Sequence, residues 1–272
     1  MITTGVAPTV APLAASVRTT AIATSGALLA FVPATFAAAL TDDRLLNGAG
    51  LWLKPMHFEL SLAIQSATIA VLAPLLSLAW LQSRTVRWTV TAASLASIME
   101  LLYIVLQAAR GRASHFNDAT PLESALYAVM GIGSLTIVAG AAVVGYALWR
   151  SPQRIGTLHL RTGAVLGLLL GTAATVVLAG YMSSLQGHLV GGPQSDAFGL
   201  PFLGWATRGG DLRVPHFFAT HAIQALPIAG LLADRLVGER FGWLMPVAAV
   251  VYSAAVAGFL VQALMGLPLI PM

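Results

Sequence analysis

Histidines are the residues of this chain best suited to chemistry, and their placement is uneven. Five of the six lie in or beside the segments that connect long apolar runs, namely His57, His115, His188, His216 and His221. The dipeptide His-Phe begins at residues 57, 115 and 216, whereas roughly 0.2 occurrences are expected by chance. Neutral imidazoles from separate segments can bind iron, copper or zinc. The pattern therefore predicts one shared site.

Four of these histidines are the predicted metal ligands. They are His57, His115, His216 and His221. His216 and His221 are five residues apart, about 140° around a helix, so both reach one site only if that helix begins irregularly. A bound zinc ion would activate water for hydrolysis of an ester or amide, whereas iron or copper would favour redox chemistry.

Haem is the alternative cofactor that the histidines suggest. Haem b would be held between two facing histidines, with His57 and His115 as the predicted binding residues. Arg213 or Arg110 would bind its propionates, because guanidinium groups pair with carboxylates through two hydrogen bonds. The residues predicted to act in catalysis beside the histidines are Glu100, Arg110 and Asp211.

A polar stripe marks the third apolar run. Glu100, Tyr103, Gln107 and Arg110 recur at spacings of three and four, so they share one helix face. Glu100 lies about 12 Å from the end of its helix, and a charge at that depth costs on the order of 3 kcal/mol. We expect a neighbouring helix to supply its partner, either a histidine or a purely structural hydrogen bond, unless the acid is protonated.

Composition decides the class of protein that carries these residues. Hydrophobic residues make up 57% of the 272 positions and charged residues only 9%, whereas about a quarter are charged in a soluble domain. The net charge of +4 comes from few charges, so nothing suggests nucleic-acid binding. Cysteine is absent, which excludes disulfides, thiol catalysis and iron–sulfur clusters.

Apolar runs of about 20 residues predict an all-α bundle of seven transmembrane helices in contact with the lipid bilayer. The predicted spans are 21–40, 58–81, 88–108, 122–149, 162–186, 214–232 and 242–266. Residues 18–272 would form one transmembrane domain and residues 1–17 a disordered N-terminus. The alternative for the first run is a cleaved signal peptide, since small residues follow it at 37–39.

Basic residues predict the orientation of the bundle. Eight arginines flank the N-terminus and the even-numbered loops, against six basic residues in the odd-numbered loops. This difference favours a cytoplasmic N-terminus and an extracytoplasmic C-terminus. Arg154 and His159 are interpreted as part of this topology signal. Six tryptophans near the predicted helix ends fit an interfacial belt, and the alanine- and glycine-rich composition suggests a bacterial inner membrane.

Small residues predict close helix contacts. Gly163, Gly167 and Gly171, spaced by four, favour tight packing between helices or a homo-oligomer. Lys54, the only lysine, is placed in a loop before the second span, which excludes a retinal Schiff base in the last helix. Signature motifs of metalloproteases, serine hydrolases and nucleotide-binding proteins are absent.

Two segments carry a resemblance to a known family. The segments 107–117, with the motif RGxxSHFN, and 209–217, with GGDLRxPHF, resemble a family of bacterial multi-pass membrane proteins without assigned activity. The resemblance covers about residues 50–232 and implies only a bacterial membrane origin. A metal- or haem-binding oxidoreductase is the favoured function. A proton-coupled carrier of small solutes that uses Glu100, and a receptor or assembly subunit, are the alternatives.

Overall fold

The computed structural model describes residues 11–151 and 155–272, with side chains from residue 16 onward. Within those ranges the fold is an all-α bundle, which confirms the prediction. Seven helical segments are long and apolar enough to cross a membrane. They are Ser16–Thr41, Leu53–Leu75, Arg84–Ala109, Pro121–Arg150, Leu158–Ser184, Arg213–Val237 and Leu244–Leu264. These seven apolar helices indicate a multi-pass membrane protein.

Regular elements follow the chain in a simple order. The helices are α1 (Ala11–Leu29), α2 (Val32–Thr41), α3 (Leu53–Leu72), α4 (Leu78–Gln82), α5 (Arg84–Ala109), α6 (Pro121–Arg150), α7 (Leu158–Ser184), α8 (Arg213–Val237) and α9 (Leu244–Leu264). Four two-residue strands are β1 (Leu45–Leu46), β2 (Ala49–Gly50), β3 (Leu189–Val190) and β4 (Gly210–Asp211). Short 3₁₀ turns occupy Ala73–Leu75 and Asp196–Phe198.

The first span is broken into α1 and α2. Pro33 lies in the first turn of α2, where it has no N–H to donate to the carbonyl of Leu29, so the helix stops and restarts there. Helix α1 begins at Ala11, so residues 11–17, predicted to be disordered, are helical instead. The remainder of that prediction, residues 1–10, lies outside the described residues.

The second span begins earlier than the hydropathy pattern predicted. Helix α3 starts at Leu53, so Lys54 lies in its first turn and the prediction of a loop position was wrong. Pro74 ends the span in a 3₁₀ turn, and the apolar residues that follow form the separate short helix α4. Apolar composition could not separate these elements, because the break is made by proline and not by polarity.

The glycine stripe of α7 packs against α8. A Cβ atom added at Gly163 would lie 2.3 Å from the carbonyl oxygen of Leu226, and one at Gly167 would lie 2.5 Å from that of Ala222. Both glycines are buried within the chain. The stripe therefore serves close helix packing inside the chain, and the prediction that it forms a homo-oligomer contact has no support from this arrangement.

Three loops meet at one end of the bundle, which we call the polar face: residues 42–52, 110–120 and 185–212. The first contains a hairpin of β1 and β2, whose turn residues Asn47 and Gly48 both have positive φ, as a tight hairpin turn requires. The third is held by the pairing of β3 with β4. Arg44 donates to the carbonyl of Ala109, which ties the first loop to the end of α5.

The opposite end of the bundle is held by apolar packing and by the carboxylates of Asp234 and Glu239, the latter accepting from the backbone N–H of Leu158. Asp234 of α8 accepts from the backbone N–H groups of His159 and Leu160 at the start of α7, and from the His159 ring at 3.0 Å. His159 is completely buried, so it is a structural residue and not merely a topology signal. Arg154 lies outside the described residues.

Tryptophans divide between the two ends. Trp88, Trp149 and Trp243 are exposed near helix ends, in agreement with a position at a membrane interface. Trp205, within the loop 185–212, is instead buried, and Trp52 donates to Asp42 across the first loop. Only part of the predicted aromatic belt is therefore available to lipid.

Candidate functional site

The four histidines predicted to bind a metal lie near the polar face but do not converge on one point. His57 bonds to the carbonyl of Phe202, while His221 bonds to Gln224 at 3.1 Å and stacks on Phe217. Across residues 16–151 and 155–272, no three histidine or carboxylate side chains are close enough to share a metal ion. The predicted four-ligand metal centre is therefore not assembled.

A different group of side chains does come together, and we call it the Lys54 cluster: Lys54, Glu100, His115 and His216. Lys54 interacts electrostatically with Arg213, Asp196 and Glu100 and also with His115, and His115 interacts with His216. These residues come from α3, α5, the loop 110–120 and α8. The cluster thus lies between the two halves of the bundle, where α3 and α8 share few contacts.

Among the described residues, Lys54 forms no direct ion pair. Within the described part of the chain no carboxylate oxygen lies within 4.0 Å of its amine. The centroid of the Phe58 ring lies 5.9 Å from Nζ of Lys54. Protein surrounds the amine, yet the side chain keeps accessible surface. Lys54 therefore borders a crevice and is not packed into a core.

His115 forms the wall of this crevice on the loop side. Its ring lies 5.4 Å from that of Phe58 and 6.1 Å from that of Tyr127, and Ser114 lies 3.2 Å from its Nδ1. Burial and the positive charge of Lys54 lower the pKa of His115 well below its usual value. His115 is accordingly a neutral imidazole at neutral pH, able to donate one hydrogen bond and accept another.

Glu100 is the deepest member of the cluster. Ser134 of α6 donates to its Oε1 at 2.7 Å, so a neighbouring helix supplies its partner, as predicted, although the partner is a hydroxyl and not a histidine. Gly133 permits this approach, because a Cβ atom there would lie 2.8 Å from the same oxygen. Helix α5 continues for nine residues beyond Glu100, which places it about 14 Å below the helix end.

The polar stripe of α5 above Glu100 is a hydrogen-bonded ladder. Gln107 donates to the Tyr103 hydroxyl at 3.1 Å and accepts from Arg110 at 2.8 Å. The three side chains therefore share a face, as their spacing predicts. Arg110 is exposed at the end of the ladder, so it does not reach Glu100, and its predicted role in catalysis has no contact to support it.

Polar groups also continue below Glu100 into the middle of the bundle. A cavity between α3, α5 and α6 is lined by the polar residues Gln65, Ser66, Ser94 and Ser97. Its volume of about 20 Å³ for water centres is enough for about one water molecule. Ser94 is about 22 Å from the polar end of α5. Beyond it, an apolar cluster that includes Val86, Val90 and Val144 closes the bundle.

Asp211 and Arg213 belong to a separate group, the loop network: His188, Asp196, Asp211 and Arg213. Arg213 pairs with Asp211 at 2.7 Å and with Asp196 at 2.9 Å, and His188 bonds to Asp196 at 3.1 Å. Asp211 also accepts from the backbone N–H of Ala206. These contacts hold the loop 185–212 on the start of α8, so the predicted roles of Asp211 in catalysis and Arg213 in haem binding have no geometric support.

Electrostatics confirm that the loop network is tightly paired. Although burial acts in the other direction, the hydrogen bond from His188 and the charge of Arg213 lower the pKa of Asp196 to about 2. Asn47 of the first loop also donates to Asp196 at 2.9 Å. The network therefore joins the first and third loops above the Lys54 cluster.

No protein-family model, curated protein or solved structure matches this chain. The functional argument therefore depends on the geometry of the site. Sequence reasoning missed Lys54, Ser134 and Asp196. A single lysine among fourteen basic residues, four residues ahead of a predicted apolar run, was the one available signal for Lys54. Nothing in the sequence indicated the roles of Ser134 and Asp196, because the role of a hydroxyl or a loop carboxylate depends on which residues pack beside it.

Proposed function

We propose that this protein is a membrane carrier that binds a small anionic solute at Lys54 and couples the solute to a proton on Glu100. The observation that carries the proposal is the Lys54 amine, which borders a crevice without any carboxylate within ion-pair distance. A buried ammonium group without a counter-ion is costly. A bound anion removes that cost.

The neighbours of Lys54 suit an anion with oxygen atoms. His115, which interacts with the amine, offers its ring nitrogens, and the ring of the neighbouring His216 has no hydrogen bond among the described residues. A neutral imidazole can donate to a carboxylate or phosphate oxygen. The tilted ring of Phe58, in contact with both Lys54 and His115, limits the size of the solute.

The interaction between Lys54 and Glu100 supplies the coupling. The positive charge of Lys54 attracts the ionised form of Glu100. An anion bound to Lys54 cancels that attraction, so anion binding promotes proton uptake by Glu100. Linkage is reciprocal, and protonation of Glu100 promotes anion binding to the same extent. The predicted mode is therefore transport of anion and proton in the same direction.

The shape of the polar core supports a carrier over a simple receptor. Polar side chains extend from the polar face through Glu100 to Ser94, more than halfway along α5. The apolar cluster beyond Ser94 closes the other side. A site reached from one face and sealed from the other is one of the two states that alternating access requires.

The test uses purified protein in liposomes that contain a pH-sensitive dye. Acetate, lactate and inorganic phosphate serve as probe anions. We expect at least one probe to drive proton uptake with wild-type protein, no uptake with Lys54→Met or Glu100→Gln, and partial uptake with Lys54→Arg, which keeps the charge. Absence of probe binding to wild-type protein, or equal binding by Lys54→Met, would contradict the proposal. Elution as a single detergent-solubilised species provides the folding control.

The metal- or haem-binding oxidoreductase has weaker support, since no trio of ligands assembles among the described residues. An absorption spectrum and elemental analysis of the purified protein decide it. A Soret band, or about one equivalent of iron, copper or zinc lost in His115→Ala, would establish a histidine-ligated centre in place of the carrier site. Location in a bacterial inner membrane, with a cytoplasmic N-terminus, is likewise proposed from composition and the arginine distribution.

A further inference from the structure

A second buried acid lies outside the Lys54 cluster. Glu59 of α3 is completely buried, about 9 Å along the helix from its start. Its Oε2 atom lies 2.9 Å from the hydroxyl of Thr35 in α2. Its Oε1 atom is buried without any hydrogen-bond partner. An ionised carboxylate with one donor is strongly disfavoured at such a position.

No cation among the described residues compensates this carboxyl. Thr35 is the one described side chain that interacts with it electrostatically or by hydrogen bonding. Helix α2, which covers Glu59, contains no ionisable residue between Val32 and Thr41. The apolar residues Leu28 of α1, Phe31 at the break and Leu101 of α5 pack together nearby. Lys54 and His57 lie on the same helix as Glu59, but Lys54 belongs to the Lys54 cluster and His57 bonds to the carbonyl of Phe202.

The hydroxyl of Thr35 has too many acceptors. Its oxygen lies 2.9 Å from Glu59, 3.1 Å from the carbonyl of Val32 and 3.2 Å from that of Phe31. One hydroxyl proton can serve only one of these oxygens well. The carbonyl of Phe31 also accepts from the backbone N–H groups of Ala34 and Thr35. The acceptor left unserved is therefore Oε1 of Glu59, which one proton or one metal ion would complete.

The break between α1 and α2 adds to this group of oxygens. Pro33 cannot donate to the preceding turn, and Phe31 lies at the break itself. Carbonyls at a broken membrane helix are known ligands for Na⁺ and for protons. Carboxylate, hydroxyl and carbonyl oxygens are hard ligands, and one carboxylate balances one unit of charge.

We propose that Glu59 and Thr35, at the break in the first span, form a site for a single monovalent positive charge, either a proton or Na⁺. Either cation would satisfy the unpaired Oε1 of Glu59 and leave the site electrically neutral inside the membrane. The site is independent of the carrier proposal, since it involves α2 and α3 and no member of the Lys54 cluster.

Two measurements on the purified full-length protein distinguish the sources. Infrared spectroscopy detects a proton as the carbonyl stretch of a carboxylic acid. Thermal unfolding in NaCl against choline chloride, at constant ionic strength, detects Na⁺. The test variant is Glu59→Gln. The matched control is Glu123→Gln, because Glu123 also has a buried unpaired oxygen but is paired with Arg112 at 2.7 Å.

The proton is established if a carboxylic-acid band is lost in Glu59→Gln, kept in Glu123→Gln and shifted in Thr35→Val, which removes one hydrogen bond. Sodium is established if NaCl raises the unfolding temperature of wild-type protein and of Glu123→Gln but not of Glu59→Gln. The proposal is overturned if wild-type protein shows neither a band sensitive to Thr35→Val nor any stabilisation by NaCl. The Thr35→Val and wild-type measurements decide the question even where Glu59→Gln fails to fold.

Discussion

Replacing Gly163 by alanine tests how closely α7 and α8 approach. The added Cβ atom would lie 2.3 Å from the carbonyl oxygen of Leu226, and an atom pair of this kind does not occur below 3.0 Å. The two helices would have to separate by about 0.7 Å, or the backbone would have to bend locally. Such overpacking costs about 1–3 kcal/mol.

Gly180 provides a matched control on the same helix, because no atom lies within 4 Å of its added Cβ. Alanine is a better helix former than glycine by about 1 kcal/mol, and this gain is common to both variants. The difference between Gly163→Ala and Gly180→Ala therefore isolates the overpacking, and we expect Gly163→Ala to be less stable by about 1–3 kcal/mol. Gly167→Ala, at 2.5 Å from a carbonyl, should follow it, and Gly171→Ala, at 3.1 Å, should cost least.

Thermal or denaturant unfolding in detergent measures these differences, and the oligomeric state is recorded for each variant. Equal stability of Gly163→Ala and Gly180→Ala would refute the close approach of α7 and α8. Loss of an oligomer by Gly163→Ala, with monomer stability equal to that of Gly180→Ala, would show instead that the stripe contacts a second copy of the chain.

Two further predictions concern the ends of the bundle. The folded-state pKa of Asp196 is lowered to about 2 from 3.8, so its stabilising effect is present above pH 4 and is lost as the pH falls toward 2. The fluorescence of buried Trp205 should report the release of the loop 185–212 at low pH. The Asp196→Asn variant should not show this pH dependence. At the other end, Asp234→Asn should lower the free energy of unfolding by about 1–3 kcal/mol, because the Asp234 carboxylate accepts from the backbone N–H groups of His159 and Leu160. An unchanged free energy of unfolding in the variant would contradict this capping role.

Sequence patterns located the site region better than they assigned its residues. The three His-Phe pairs predicted a shared site at one end of the bundle, and depth alone predicted that Glu100 needs a partner from another helix. The structure does not bring the predicted metal ligands together, since His57 bonds to a loop carbonyl and His221 to Gln224. Side-chain direction across helices depends on rotation and crossing, which spacing along a single helix does not specify.

Other residues changed meaning once the helices were packed. Lys54 moved from a predicted loop into the first turn of α3, where its charge interacts with Glu100 without an ion pair. Asp211 and Arg213, expected beside a cofactor, fasten a loop instead. The unpaired oxygen of Glu59 became visible only once α2 was placed over it.

The sequence alone determined the class of fold, because lipid cannot satisfy an open backbone and apolar runs of this length leave only membrane-spanning helices. It also determined that the reactive residues collect at one end, since seven crossings place alternate loops on the same side. Tertiary structure decided which polar groups meet, which glycines face another helix and which carboxyls lack a partner. Those properties depend on contacts between residues far apart in the chain, and in a single sequence such contacts leave no periodic signal.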